Sequence, residues 1–171
     1  MKTRGTLLTV TVLALAATVV GVPAALAEER RCRGTLTRVT VDNLLVPAGA
    51  TCTLNGTKVK GTVKVGRNAT LIATNIKVVG NVQAENHARV VVKGSATRVG
   101  GSIQVVQGGS ATVRNAKVKG DIQFFENRRA IVVSGNRIDG NLQCKENNPK
   151  PTGGGNIVQG NAEDQCEDLA V

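Results

Sequence analysis

The residues of this 171-residue chain whose types and spacing could do chemistry fall into three sets. The first is cationic: Lys58, Lys77, Arg98, Lys117 and Arg137 each stand three residues before a glycine that recurs about every twenty residues. Lys60 and Lys119, one residue before their glycines, and Lys64 add to the set, and between Lys58 and Lys119 there are 11 cations against one anion, Glu85. Regularly spaced positive charge of this kind can bind an anionic polymer by displacing its counterions, the alternative being a solvated outward face that keeps the rod soluble. The second set is acidic. Glu126 and Glu146, each six residues after its glycine, and Asp121 and Asp139, close to theirs, are the candidates for acid–base or calcium chemistry. Arg128, Arg129 and Lys145 lie beside the two glutamates, so surface ion pairs are the expected role. The third set is Cys32, Cys52, Cys144 and Cys166.

The elements that must position these residues follow from the glycines. Gly61, Gly80, Gly101, Gly120, Gly140 and Gly160 are 19, 21, 19, 20 and 20 residues apart. Two residues before each stands Val59, Val78, Val99, Val118, Ile138 or Val158, and two after stands Val63, Val82, Ile103, Ile122, Leu142 or Ala162. A second alternating run lies mid-repeat, as Ala50-x-Cys52-x-Leu54, Ala69-x-Leu71-x-Ala73 and Ala88-x-Val90-x-Val92. Alternation indicates strands. Strands this short bury nothing alone, so successive repeats must stack. The fold expected is all-β: a single-domain parallel β-helix, a β-solenoid of about 20-residue coils. A left-handed hexapeptide helix would show an apolar residue about every six positions, which is absent here, so a right-handed coil is expected. Regular coils should run over about 42–162, with one more from Thr35 to Val46 and a C-terminal cap over 162–171.

Stacking places the cysteines as well. Cys32 and Cys52 are 20 residues apart and Cys144 and Cys166 are 22, about one coil each, which brings each pair to roughly 5 Å between Cα atoms. A disulfide at each end is expected, with Cys144 in the inward slot of Val65, Ala84, Val105 and Phe124. Metal binding is not, because His87 is alone and no Cys-x-x-Cys occurs. No cofactor is implied.

Lys2 and Arg4 precede an apolar run from Leu7 to Val22, then Pro23 and Ala25-Leu26-Ala27, the layout of a secretory signal peptide over residues 1–27. The solenoid domain is then 28–171, with 20 cations against 12 anions, a net +8. Export suits disulfides, and no stable membrane insertion is expected after cleavage.

The segments Gly140-Asn141-Leu142-Gln143-Cys144 and Gly153-Gly154-Gly155-Asn156-x-Val158-x-Gly160-Asn161-x-Glu163-Asp164-Gln165-Cys166 resemble small secreted repeat proteins of actinobacteria. That resemblance covers nearly all of the chain after the leader and implies fold and location, with no catalytic residue. The Gly-x-Val/Ile-x repeats alone are similar to those of bactofilins, polymer-forming β-helix proteins; the leader and the cysteines depart from that pattern.

Further columns are expected from the same ruler. Lys64, Gln83, Gln104, Gln123, Gln143 and Glu163 fall three after the glycines, and stacked amides there should hydrogen-bond along the axis. Asn75, Asn115, Asn136 and Asn156 should form corners. The chain has no Tyr or Trp to stack a sugar or a base, and no Gly-x-Ser-x-Gly, His-Glu-x-x-His or phosphate loop. Catalysis is therefore not expected, a polysaccharide lyase or hydrolase being the remote alternative, and no nucleic acid partner is expected. The function expected is non-catalytic binding of anionic cell-envelope polymer through the cation column, at a secreted or wall-associated location. The alternative is a self-assembling extracellular scaffold. Arg30, Arg31 and Arg33 make the first end basic, and Glu163, Asp164, Glu167 and Asp168 make the last end acidic. Charges at sheet edges favour a monomer, and head-to-tail stacking into a filament is the competing assembly.

Overall fold

The computed structural model describes residues 28–171; the expected leader, 1–27, lies outside the described residues. The chain winds through three parallel sheets. The first face stacks eight strands: Glu29–Arg31, Asn43–Val46, Val63–Val65, Val82–Glu85, Ile103–Val106, Ile122–Phe125, Leu142–Lys145 and Ala162–Asp164. The second stacks seven, from Thr35–Thr37 to Thr152–Gly154, and the third stacks seven two-residue strands, from Thr40–Val41 to Ile157–Val158. The result is a parallel β-solenoid of about seven turns, as the glycine phase implies. Seven steps at about 4.8 Å make it roughly 34 Å long. Winding begins earlier than the glycines suggest. Glu29 already pairs with Asn43, only 14 residues on, so a short coil without a repeat glycine precedes the regular ones.

Each coil follows from local sequence. On the first face the alternation points two side chains inward, and Val82–Ile103–Ile122–Leu142 and Ala84–Val105–Phe124–Cys144 form unbroken buried columns. Val59, Val78, Val99, Val118 and Ile138 do the same for the third face. Each fully buried Val, Ile or Leu contributes about 1.5–3 kcal/mol relative to exposure, and β-branched side chains suit a sheet-lined core.

The corner between the second and third faces needs a left-handed residue in every coil. Arg38, Gly56, Asn75, Gly94, Asn115, Gly135 and Gly155 occupy it, with φ between +51° and +106°. Glycine has no Cβ to clash there, and the short Asn side chain tolerates it. The corner role expected of Asn75 and Asn115 therefore holds, whereas Asn136 and Asn156 sit one position later and are buried. Asn136 accepts a hydrogen bond from the Ala116 N–H (3.0 Å) and donates to the Val113 carbonyl and to Asn156 Oδ1 (2.9 Å each). These two amides brace the interior.

The repeat glycines have a different cause. A Cβ at Gly61, Gly101, Gly140 or Gly160 would run into the side chain of Asn43, Asn81, Asp121 or Asn141, one coil earlier. Each of those side chains reaches along the axis to accept a backbone N–H of the next coil, as in Ser102 N–H to Asn81 Oδ1 and Asn141 N–H to Asp121 Oδ1, both 2.8 Å. Glycine recurs because the neighbouring coil's acceptor fills the space.

Both disulfides form as the spacing implies, Cys32–Cys52 with Cα atoms 5.5 Å apart and Cys144–Cys166 at 5.3 Å. The last coil is covered by a short 3-10 helix, Glu167–Leu169, whose Leu169 packs on the core, and Ala170 bridges to Asn156. Among the described residues, no helix is long and apolar enough to cross a membrane.

Candidate polyanion-binding face

The third face carries the cation column. A two-residue strand has one inward and one outward side chain, and here the inward one is the buried Val or Ile. The outward one is Lys58, Lys77, Arg98, Lys117 or Arg137, and the register stacks the five directly over one another. All five are exposed, and the column is bounded by Thr40 at one end and Ile157 at the other. At about 4.8 Å per coil the cations span about 19 Å. Neighbouring like charges at this spacing repel by up to about 1 kcal/mol in water, and salt screens most of that. A ligand bearing serial negative charge would relieve it.

A second outward column runs parallel, one residue past the inward valines: Lys60, Val79, Gly100, Lys119 and Asp139, held in register by backbone bonds such as Lys119 N–H to the Val99 carbonyl (3.0 Å). Between the columns lies a cleft of about 560 Å³, lined by all five ladder cations and by Lys119, with Val79, Val99 and Gly100 among the residues forming its apolar part. Gly100 is dictated by packing, since a Cβ there would strike the Val79 carbonyl oxygen. Val79 itself is 61% exposed.

The expected cations are not equivalent. Lys60 is paired with Asp42 at 3.0 Å, which neutralises the first end of the second column. Arg98 folds one nitrogen of its guanidinium onto the carbonyls of Ser95 (2.7 Å) and Thr97 (2.9 Å), so part of its fork is committed to the protein. Among the described residues, Lys58, Lys77, Lys117, Lys119 and Arg137 form no ion pair within 4 Å.

The acidic candidates are placed by the same stacking. Glu126 and Glu146 are vertical neighbours in a corner, both in left-handed backbone with φ of +55°. Among the described residues, the ion pairs expected with Arg128, Arg129 and Lys145 do not form: Glu126 instead accepts from Gln107 Nε2 at 3.0 Å. Asp121 is committed to the Asn141 N–H, and Asp139 sits at the rim of the basic cleft. Among the described residues no three His, Cys, Asp or Glu side chains gather as a metal site.

The glutamines do form their ladder. Gln83, Gln104 and Gln123 each donate Nε2 to the next coil's Oε1, at 3.0, 2.9 and 2.8 Å, and Gln143 ends the ladder on the Glu163 carboxylate at 2.7 Å. Each ladder amide donates one N–H along the axis in the same direction and the run finishes on a charge, so the ladder is accounted for without a ligand.

Two features escape a reading by glycine phase. Asn127 and Asn147, seven residues after Gly120 and Gly140, are buried at the corner between the first and second faces and linked at 2.9 Å, with Gln165 below them. Their twenty-residue separation was the available signal. The second feature is His87 in the same column, 3% exposed, with neither ring nitrogen hydrogen-bonded among the described residues. Burial holds its pKa below the ordinary histidine value, opposed in part by the Ser110 backbone.

Comparison of the chain with protein-family models, curated proteins and solved structures finds no match.

Proposed function

We propose that this chain is an exported, non-catalytic β-solenoid whose third face binds an anionic polymer of the cell envelope, such as teichoic acid or an acidic glycan. The observation that carries this reading is the register: five exposed cations in one unbroken column, flanking a cleft, at a repeat set by the backbone. A surface kept basic only for solubility has no need of alignment, since scattered charges serve as well and repel less. The structural roles of Asp121, Glu126 and the glutamine ladder leave the carboxylates with little to offer a catalytic reading. Absence of Tyr and Trp argues against nucleic acid, where stacking contributes much of the affinity. Export is supported by the leader pattern of residues 1–27 and by two disulfides, which persist in oxidising compartments.

The test is sedimentation of residues 28–171 with purified cell walls before and after removal of teichoic acid, beside a variant with Lys58, Lys77, Arg98, Lys117 and Arg137 changed to Gln. Binding that requires the anionic polymer and is lost in the folded variant supports the reading. Equal binding by both proteins overturns it.

A further inference from the structure

The corner between the first and second faces carries a second basic feature, away from the cation column. In the later coils this corner is closed by amides: Asn127 Oδ1 accepts the Gly108 N–H and Asn147 Oδ1 accepts the Asn127 N–H, both at 3.1 Å, and the Asn147 N–H goes to Gln165. The ladder stops at Gly108, which has no side chain to offer the coil before it. The His87 ring lies over that gap, so close that a Cβ at Gly108 would meet its Cε1 and Nδ1 atoms. Outside it opens a cavity of about 720 Å³, whose lining includes His87, Arg89, Gly109, Ser110, Arg128 and Arg129 and no carboxylate.

Two independent observations indicate a ligand. The three arginines are exposed and, among the described residues, none forms an ion pair within 4 Å. His87, which lines the cavity, is 97% buried, and among the described residues neither nitrogen has a hydrogen-bond partner. Leaving such a group unsatisfied costs about 1–3 kcal/mol, and a packing role alone would be filled better by an apolar side chain. An oxyanion answers both features. Guanidinium groups match its geometry with paired N–H donors, and a neutral imidazole can turn its one N–H toward it.

We propose that this notch is a binding site for a tetrahedral oxyanion, a phosphate or sulfate group, held by Arg89, Arg128 and Arg129 with His87 as its inner donor. The site is independent of the polymer-binding face. His87 is the chain's one histidine, so its Cε1–H resonance is a clean reporter. Inorganic phosphate, inorganic sulfate and sodium chloride at matched ionic strength are titrated into residues 28–171, up to about 50 mM, above the range of a millimolar site. A saturable shift with phosphate or sulfate, absent with chloride and lost in an R128Q/R129Q variant of unchanged circular dichroism, is the expected result. Retention in the variant with the five ladder cations changed to Gln separates this site from the third face. An indifferent resonance, or a shift that chloride or the R128Q/R129Q variant reproduces, overturns the proposal.

Discussion

Changing Asn127 to Ala tests whether buried axial amides or exposed ones hold the coils together. Asn127 is fully buried and makes five hydrogen bonds. Three belong to its side chain: acceptance of the Gly108 N–H, and donation to the Val105 carbonyl and to Asn147 Oδ1. Truncation strands the Gly108 N–H, at about 1–3 kcal/mol, and removes two further bonds worth about 1 kcal/mol each. The sum is about 3–5 kcal/mol, before any cost for the void. Gln123 makes two ladder bonds of similar length, at 2.9 and 2.8 Å, but is only half-buried, so its partners can turn to water. Gln123→Ala should cost about 1 kcal/mol or less. With no Tyr or Trp for fluorescence, urea unfolding followed by far-ultraviolet circular dichroism is the assay. Equal midpoints for the two variants would refute the assignment of corner stability to the buried amides.

The Cys32–Cys52 bridge closes a loop of about 20 residues, and replacing both cysteines by Ser should lower unfolding free energy by about 3 kcal/mol in the same assay. Gly153→Ala should destabilise the last coil by several kcal/mol: its φ is +134° and a Cβ there would strike the Val133 backbone, which cannot yield. The folded pKa of His87 lies below its unfolded value near 6.5, so the unfolded chain binds the extra proton first. Its contribution is therefore present above about pH 6.5 and is lost as pH falls through the folded pKa. Wild type should lose more stability than His87→Gln between pH 7.5 and about pH 5.

The solenoid was legible because one glycine column keeps phase with two apolar columns for a hundred residues, and only stacked coils require that. The cysteine pairing and the glutamine ladder followed from the same ruler, since an axial neighbour is any residue about twenty positions away. What the ruler could not show was where a side chain points. Asn136 and Asn156 resemble Asn75 and Asn115 in spacing from their glycines, yet one extra position turns them inward. Glu126 and Arg128 are close in sequence but leave a left-handed corner in directions that do not meet within ion-pair distance. Nor could composition reveal that Lys60 is spent on Asp42, because that contact bridges coils of unequal length.

The central claim is that the third-face column acts as one multivalent cation, and the salt dependence of binding to purified teichoic acid tests it most directly. Five cations neutralising a flexible polyanion give a slope of log K against log salt of about −3.5, so a fourfold rise in salt should weaken binding about a hundredfold. With Lys58, Lys77, Arg98, Lys117 and Arg137 changed to Gln, the slope should become shallower than about −1.5. The same steep slope in both proteins would contradict the account.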